Sequence, residues 1–213
     1  MSSNFLAALA GSKLYPLTDR FLSGLSHTDQ VLLLSAGGAR LVQVREKLAS
    51  PAEFYAQARQ ALEAAHAAGM KVIINDRVDI ALALQADGVH LGQDDLPAEA
   101  ARRLLGPDTV IGFSTHNLNQ AEAATQLPVD YIAIGPIFAT QSKESANPPV
   151  GLAGLRRIRQ AVGRIPLVAI GGITLENGQS VLDAGADAIS VIADIWQPLR
   201  QAETQVKRFL TLR

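Results

Sequence analysis

Residues 71–95, KVIINDRVDIALALQADGVHLGQDD, decide the fold. Lys71–Asn75 is a short, β-branched apolar run, and Gly88–Leu91 is a second one. RVDIALAL lies between them with a helical pattern. Two short strands joined by a helical stretch form a parallel βαβ unit. Outward from this segment the pattern recurs, giving strands at Leu14–Thr18, Leu41–Arg45, Val110–Ser114, Tyr131–Gly135, Leu167–Gly171 and Ala188–Ile192, eight in all. Helical stretches such as PAEFYAQARQALEAAHAAG and PAEAARRLL separate them, the second with Pro97 at the first helical position. AGGARLVQV, ADGVHLG, VDYIAIGP and AGADAISVI form a weak internal echo, read as helix C-caps leading into strands. Eight such units with no break in composition predict an α/β chain folded as one closed (β/α)₈ barrel, the TIM-barrel architecture. It would span residues 1–213, with 1–12 as a lead-in or short helix. An open doubly wound sheet is the alternative, but no GxGxxG follows the first strand.

Composition narrows the chemistry. Apolar residues make up 48% of the chain and aromatics only 5%, so the core must be mostly aliphatic. The absence of cysteine excludes thiolate nucleophiles, thiolate metal sites and disulfides. A net charge of −1 gives no field for nucleic acid or for an anionic membrane. The N-terminal MSSNFLAALAGSKLYPL lacks the basic start of a signal peptide, and no apolar run reaches membrane-spanning length. A soluble cytoplasmic protein is expected.

In such a barrel, polar residues at the C-terminal ends of strands mark the catalytic face. In LVQVREK (41–47), Val42 and Val44 share one face. Gln43, Arg45 and Lys47 share the other, with Gln43 and Arg45 pointing into the barrel and Lys47 at the rim. Two cations on one face suit an anion, and the Arg fork suits phosphate; the plainer alternative is that Arg45 only pairs with a carboxylate such as Asp76. Asn75 and Asp76 end the third strand, and Gln93, Asp94 and Asp95 follow the fourth. Carboxylates on neighbouring strands suit Mg²⁺ completed by substrate phosphates, while capping of the next helices by Asp76 and Asp95 explains them equally well. His90 lies mid-strand and reads as a hydrogen-bonded core histidine. Ser114 and His116 end the fifth strand two residues apart; a nucleophilic pair is conceivable there but disfavoured. Asn117 reads as a helix cap. The segment Ile137–Val150 is the one long irregular connection, and a loop of that length is functional or mobile. It carries Thr140, Ser142 and Lys143, which suit a phosphate or a solvated loop alike. AIGGIT (169–174) and the backbone at Ile192 and Ala193 offer amide donors where barrels often bind phosphate.

Taken together, QVREK (43–47), INDRVDIAL (74–82), ADGVHLGQDD (86–95), IGFSTHN (111–117), AIGPIFATQSK (133–143), AIGGIT (169–174) and ISVIADI (189–195) resemble the thiamine-phosphate synthase family. They stand in family order and cover nearly all of the barrel. The resemblance implies a transferase that joins a hydroxymethylpyrimidine diphosphate to a thiazole phosphate, releasing diphosphate. It implies that Gln43, Arg45, Lys47, Asn75, Ser114 and Lys143 bind the pyrimidine diphosphate, with Arg45, Lys47, Lys143 and Ser114 nearest the chemistry. Asp76 and Asp95 would hold Mg²⁺, while Thr140, Gln141, Ser142, Gly172, Ile192 and Ala193 would line the thiazole phosphate site. Family members often carry Thr at position 142 and Ser at position 193; Ser142 keeps the hydroxyl, whereas Ala193 keeps only its amide. The expected partners are small-molecule substrates, with a homo-oligomer left open. A dissociative carbon–oxygen cleavage needs no enzyme nucleophile, in keeping with the missing cysteine. The competing readings are a thiazole tautomerase of the same fold, with His116 as its acid–base group, and a non-catalytic thiamine phosphate-binding protein.

Overall fold

The computed structural model describes residues 7–9, 11–140 and 147–213. Eight strands alternate with helices: β1 (Leu14–Pro16), α1 (Arg20–Ser23), α2 (His27–Ala36), β2 (Leu41–Val44), α3 (Pro51–Ala67), β3 (Lys71–Asn75), α4 (Val78–Leu84) and β4 (Gly88–Leu91). There follow α5 (Ala98–Leu105), β5 (Val110–Thr115), α6 (Leu118–Ala124), β6 (Tyr131–Ile134), α7 (Gly151–Val162), β7 (Leu167–Ile170), α8 (Gly178–Asp183), β8 (Ala188–Val191), α9 (Ala193–Trp196), a 3₁₀ turn (Leu199–Gln201) and α10 (Ala202–Phe209). All strand pairs are parallel, in the order β1-β8-β7-β6-β5-β4-β3-β2. The remaining seam is drawn together by a bridge between Leu17 and Gln43 and by the Thr18 N–H donating to the Gln43 carbonyl at 2.9 Å. The (β/α)₈ barrel is therefore nearly closed.

The expected strands are all present, with their C-terminal bounds shifted. β1, β2, β6, β7 and β8 stop one or two residues early, at Pro16, Val44, Ile134, Ile170 and Val191, and β5 runs one further, to Thr115. The residues left over belong to the loops of the catalytic face, where several of them, Arg45 among them, line the cavity described below. Pro97 occupies the N-cap position of α5 rather than its first turn. By contrast, Pro51 does open α3, where Ser50 and Glu53 form a reciprocal capping box.

Period two sorts the strand residues into two cores. Leu14, Val42, Val44, Val72, Ile74, Val89, Leu91, Ile111, Ile132, Ile134 and Val191 face the helices. Each fully buried side chain of this size contributes roughly 1.5–3 kcal/mol relative to exposure. Tyr15, Leu41, Ile73, Val110, Tyr131, Ala133, Val168 and Ala188 fill the barrel, with Leu9 packed among them. Trp196 fastens α9 to the residue that follows β1, its Nε1–H donating to the Leu17 carbonyl at 2.8 Å.

The internal echo has a physical basis that its glycines only partly express. In ADG, VDY and ADA the common residue is an aspartate just before the strand: Asp87, Asp130 and Asp187. Each accepts the N–H of a residue at the start of a neighbouring strand, from Val72 (2.9 Å), Ile111 (2.8 Å) and Leu167 (2.8 Å). Each also pairs with a cation, respectively Lys71, Arg102 and Arg159. These three clamps knit the N-terminal rim of the barrel. Gly88 is consequently a strand residue and not a cap; the left-handed cap of α4 is Gln85 (φ 51°).

Candidate active site

The interior register of the strands ends in a cavity of about 290 Å³ at the C-terminal mouth. Gln43, Arg45, Asn75, His90, Ser114, His116, Thr140, Gly172, Ile192 and Ala193 line it, brought together from the ends of seven strands or the loops that follow them. Gln141, Ser142 and Lys143 lie outside the described residues. The ends of the long connection are tied to the barrel: the Ile137 and Phe138 N–H groups donate to the Ile170 and Gly171 carbonyls, and Val150 N–H donates to Pro136.

The cationic side is set by β2. The Arg45 guanidinium pairs with Asp19 at 3.2 Å, so its carboxylate partner is Asp19 and not Asp76. Thr18 Oγ1 accepts the Arg45 N–H (3.1 Å) and meets His27 Nδ1 (2.8 Å) beneath it. Glu46 turns away and accepts three successive N–H groups, those of Lys47, Leu48 and Ala49. That fold-back carries Lys47 across to Asp76, with which it forms an ion pair.

Asp76 sits in the left-handed region (φ 61°), uncommon for a residue with a side chain and costing of order 1 kcal/mol. Its N–H donates to the His90 carbonyl at 2.8 Å, which locks the turn. Neither Asp76 nor Asp95 caps a helix: the residues at the starts of α4 and α5 are Arg77 and Pro97, with no side-chain cap. The capping alternative is thereby removed. The Asp95 carboxylate accepts the Gly92 N–H at 2.6 Å and lies close enough to Asp76 to feel its charge. Burial, and then the Asp76 carboxylate, push the Asp95 carboxyl above the usual range, against the Gly92 N–H that favours its charged form. Asp94 is exposed beside them. Among the described residues no group of three or more His, Cys, Asp or Glu forms a metal cage. Two adjoining carboxylates with open positions fit a hard cation that keeps waters and takes phosphate oxygens, as Mg²⁺ does.

Asn75 is buried, and its Nδ2 has no hydrogen-bond partner in the structure. A buried amide left so costs about 1–3 kcal/mol, which a ligand acceptor in the cavity would recover. Ser114 does not pair with His116. Its Oγ lies 2.8 Å from Nε2 of His90, whose Nδ1 meets the Tyr131 hydroxyl at 2.9 Å. His116 instead places Nδ1 2.7 Å from the Gly135 carbonyl, and Asn117 caps α6 as expected. The hydrogen-bonded character of His90 is as read from the sequence; its neighbours Tyr15 and Tyr131 were not. The available signal was a pair of hydroxylated rings at interior positions of otherwise aliphatic strands, with Gly112 beside one of them.

Beyond β1 from the cations, the loops after β7 and β8 brace each other. The Asn177 amide donates to the Gly172 carbonyl (3.0 Å) and accepts the Thr174 N–H (2.9 Å), and Asp194 accepts the Leu175 N–H (3.0 Å). Gly172 has φ 65°, and a Cβ there would lie 2.7 Å from Phe138 Cβ and from the Ala139 carbonyl. Only glycine brings this backbone to the cavity.

Comparison with known proteins agrees with this geometry. The thiamine monophosphate synthase family model matches residues 14–195. A thiamine-phosphate synthase of Clostridium novyi is 50% identical over 184 residues, 86% of this chain and 90% of that protein. One of Chloroflexus aurantiacus is 47% identical over 191 residues, 89% of this chain and 88% of its own. A solved thiamine phosphate pyrophosphorylase from Pyrococcus furiosus superposes with a TM-score of 0.85 at 33% identity, covering 95% of this chain and 96% of that one. With a cavity at the barrel mouth, a carboxylate pair in the loops after β3 and β4 and relatives this close over nearly their whole length, the chain belongs to the thiamine monophosphate synthase family, whose members are transferases.

Proposed function

We propose that the barrel condenses 4-amino-2-methyl-5-hydroxymethylpyrimidine diphosphate with a thiazole phosphate, yielding thiamine phosphate and diphosphate. The bond between the pyrimidine methylene carbon and the diphosphate oxygen breaks, and the thiazole nitrogen forms the new bond to that carbon. The aminopyrimidine stabilises positive charge on its methylene, so departure of diphosphate precedes attack and no protein nucleophile takes part. Arg45, Lys47 and Lys143 hold the diphosphate, and Gln43, Asn75 and Ser114 hold the pyrimidine. Thr140, Gln141, Ser142 and the backbone at Gly172, Ile192 and Ala193 hold the thiazole phosphate. Asp76 and Asp95 would hold Mg²⁺, which when bound supplies positive charge to the leaving diphosphate.

The observation that carries this reading is that Lys47, Asp76 and Asp95 meet on the rim formed by the loops after β2, β3 and β4, whose neighbours in the chain, Arg45 and Asn75, line the cavity. Such a rim neutralises a leaving polyanion and its counter-ion together. The unsatisfied Asn75 amide adds a buried donor facing the same space. Incubation with both phosphorylated halves and Mg²⁺ should yield thiamine phosphate and diphosphate in equal amounts. Absence of thiamine phosphate, or conversion of the thiazole phosphate alone, would defeat the proposal and favour respectively a binding protein or a tautomerase.

A further inference from the structure

Four buried side chains connect the closed end of the cavity to Ser114. Gln43 Nε2 donates to the Tyr15 hydroxyl at 3.1 Å, and the Tyr15 and Tyr131 hydroxyls are 2.9 Å apart. The Tyr131 hydroxyl is 2.9 Å from His90 Nδ1, and His90 Nε2 is 2.8 Å from Ser114 Oγ. The rings are packed as well as bonded. Tyr15 meets Tyr131 edge-on with centroids 5.9 Å apart, and His90 stacks on Tyr131 at 5.5 Å. Both phenols are fully buried within the barrel.

The contacts admit two opposite senses with opposite chemical meanings. If His90 carries its proton on Nδ1, Nε2 is a base aimed at Ser114, and Tyr131 stands where a serine hydrolase keeps its carboxylate. If the proton is on Nε2, the ring donates to Ser114 Oγ and cannot remove its proton. The serine hydroxyl hydrogen is then turned away from His90, toward the cavity.

We infer that Tyr15 and Tyr131 are positioning residues that hold His90 as the Nε2–H tautomer, making Ser114 a hydrogen-bond donor to an acceptor atom of the bound substrate and not a nucleophile. The sense is set at the inner end. An amide nitrogen only donates, so the Tyr15 oxygen accepts from Gln43, and a cooperative chain has Tyr15 pass its own hydrogen on to Tyr131. The Tyr131 oxygen then accepts, and its hydrogen is directed at His90 Nδ1. Burial, aided at Tyr131 by the neighbouring Tyr15, pushes that phenol well above its usual value, and burial pushes Tyr15 up too; both remain protonated donors at any working pH. A neutral imidazole that accepts at Nδ1 donates at Nε2. A chain of hydroxyls polarised in one direction strengthens each member, which suits a donor needed at a fixed angle.

The inference deepens the proposed reaction and rests on it only for the identity of the substrate. Its first test needs no activity. In ¹⁵N-labelled protein at neutral pH, with His90→Gln used for assignment, the His90 Nε2 resonance should be that of a protonated nitrogen and Nδ1 that of an unprotonated one. Tyr131→Phe should move both resonances toward exchange between tautomers. The second test is a kinetic cycle with the two phosphorylated halves and Mg²⁺. Tyr131→Phe and Ser114→Ala should each lower kcat about tenfold with smaller changes in KM, and the double variant should lose no more than Ser114→Ala alone. A protonated Nδ1 in the unmodified protein overturns the inference whatever the kinetics, as do losses that multiply in the double variant. Failure of the unmodified protein to form thiamine phosphate counts against the proposed reaction and leaves the tautomer measurement standing.

Discussion

Replacing Gly112 by alanine should damage this protein through one identifiable collision. Gly112 lies on β5 between its register partners His90 and Tyr131. A Cβ there would stand 2.5 Å from Tyr131 Cε1 and nearer still to Cζ and the hydroxyl oxygen. Carbon atoms in contact sit about 3.5–4.0 Å apart, so the ring must move by roughly 1 Å or more. Overpacking of this kind costs about 1–3 kcal/mol. The displaced hydroxyl also weakens its bonds to Tyr15 and His90, and each buried polar group left unpaired adds about 1–3 kcal/mol. A loss near 3 kcal/mol is expected, or roughly 6–12 °C in Tm for a chain of this size. Calorimetry and urea unfolding measure it, with Gly11→Ala as control, since none of the described residues lies within 4 Å of the added carbon there. Adding Tyr131→Leu to Gly112→Ala should recover much of the packing without restoring the hydroxyl. A Gly112→Ala protein as stable as the parent would refute the placement of Tyr131 across β5, and with it the hydrogen-bond chain to Ser114.

Four further outcomes follow from the geometry. Asp95→Asn should sharply raise the Mg²⁺ concentration needed for thiamine phosphate formation while Asp94→Asn leaves it near normal; the reverse order would mean that the exposed Asp94 is the ligand. Lys143→Ala should lower the turnover number at saturating substrates at least tenfold, about 1.4 kcal/mol, with less effect on thiazole phosphate binding, and an unchanged turnover number would remove it from the leaving-group site. His27, held by burial at a pKa of about 4, takes up no proton in the fold where the unfolded chain does. Stability should therefore fall by about 3 kcal/mol as pH drops from 6.5 toward 4, and denaturant unfolding of His27→Gln across that range should show a flatter slope than the parent. Asp130→Ala frees Arg102 and the Ile111 N–H together, and a melting scan should show a drop of roughly 4–8 °C, or about 2 kcal/mol, with turnover of the remaining folded protein unchanged.

The barrel was legible because period two and the βα alternation report burial directly. Val42 and Val44 had to pack under helices, and Gln43 and Arg45 had to face inward, whatever the tertiary details. Contacts between strands far apart in sequence were not legible. Asp19 as the partner of Arg45, and His90 as the partner of Ser114, join segments 26 and 24 residues apart, and only barrel closure brings them together. Proximity in sequence suggested His116 for Ser114, yet β5 ends at Thr115, beyond which alternation no longer governs where a side chain points. The aspartate clamps were visible as a repeated Asp before a strand, but the glycines nearby drew the reading toward helix caps.

The two rims of the barrel solve opposite electrostatic problems with the same residue type. At the N-terminal rim Asp87 is half-buried beside a lysine, a histidine and a backbone N–H. Burial raises its carboxyl, but these donors outweigh burial and hold it below the usual range. At the C-terminal rim Asp95 has one N–H, a carboxylate neighbour and only the weaker field of Lys47, and burial with that neighbour leaves its carboxyl raised. A fully compensated carboxylate has nothing to offer a ligand; an under-compensated one gains by meeting a cation. The same contrast separates amides: Gln43 spends its nitrogen on Tyr15, whereas Asn75 keeps Nδ2 unpaired at the cavity wall. Unspent polar capacity, more than residue type, thus marks which rim does chemistry, and it resides where the fold accepts a left-handed aspartate at position 76 to put it there.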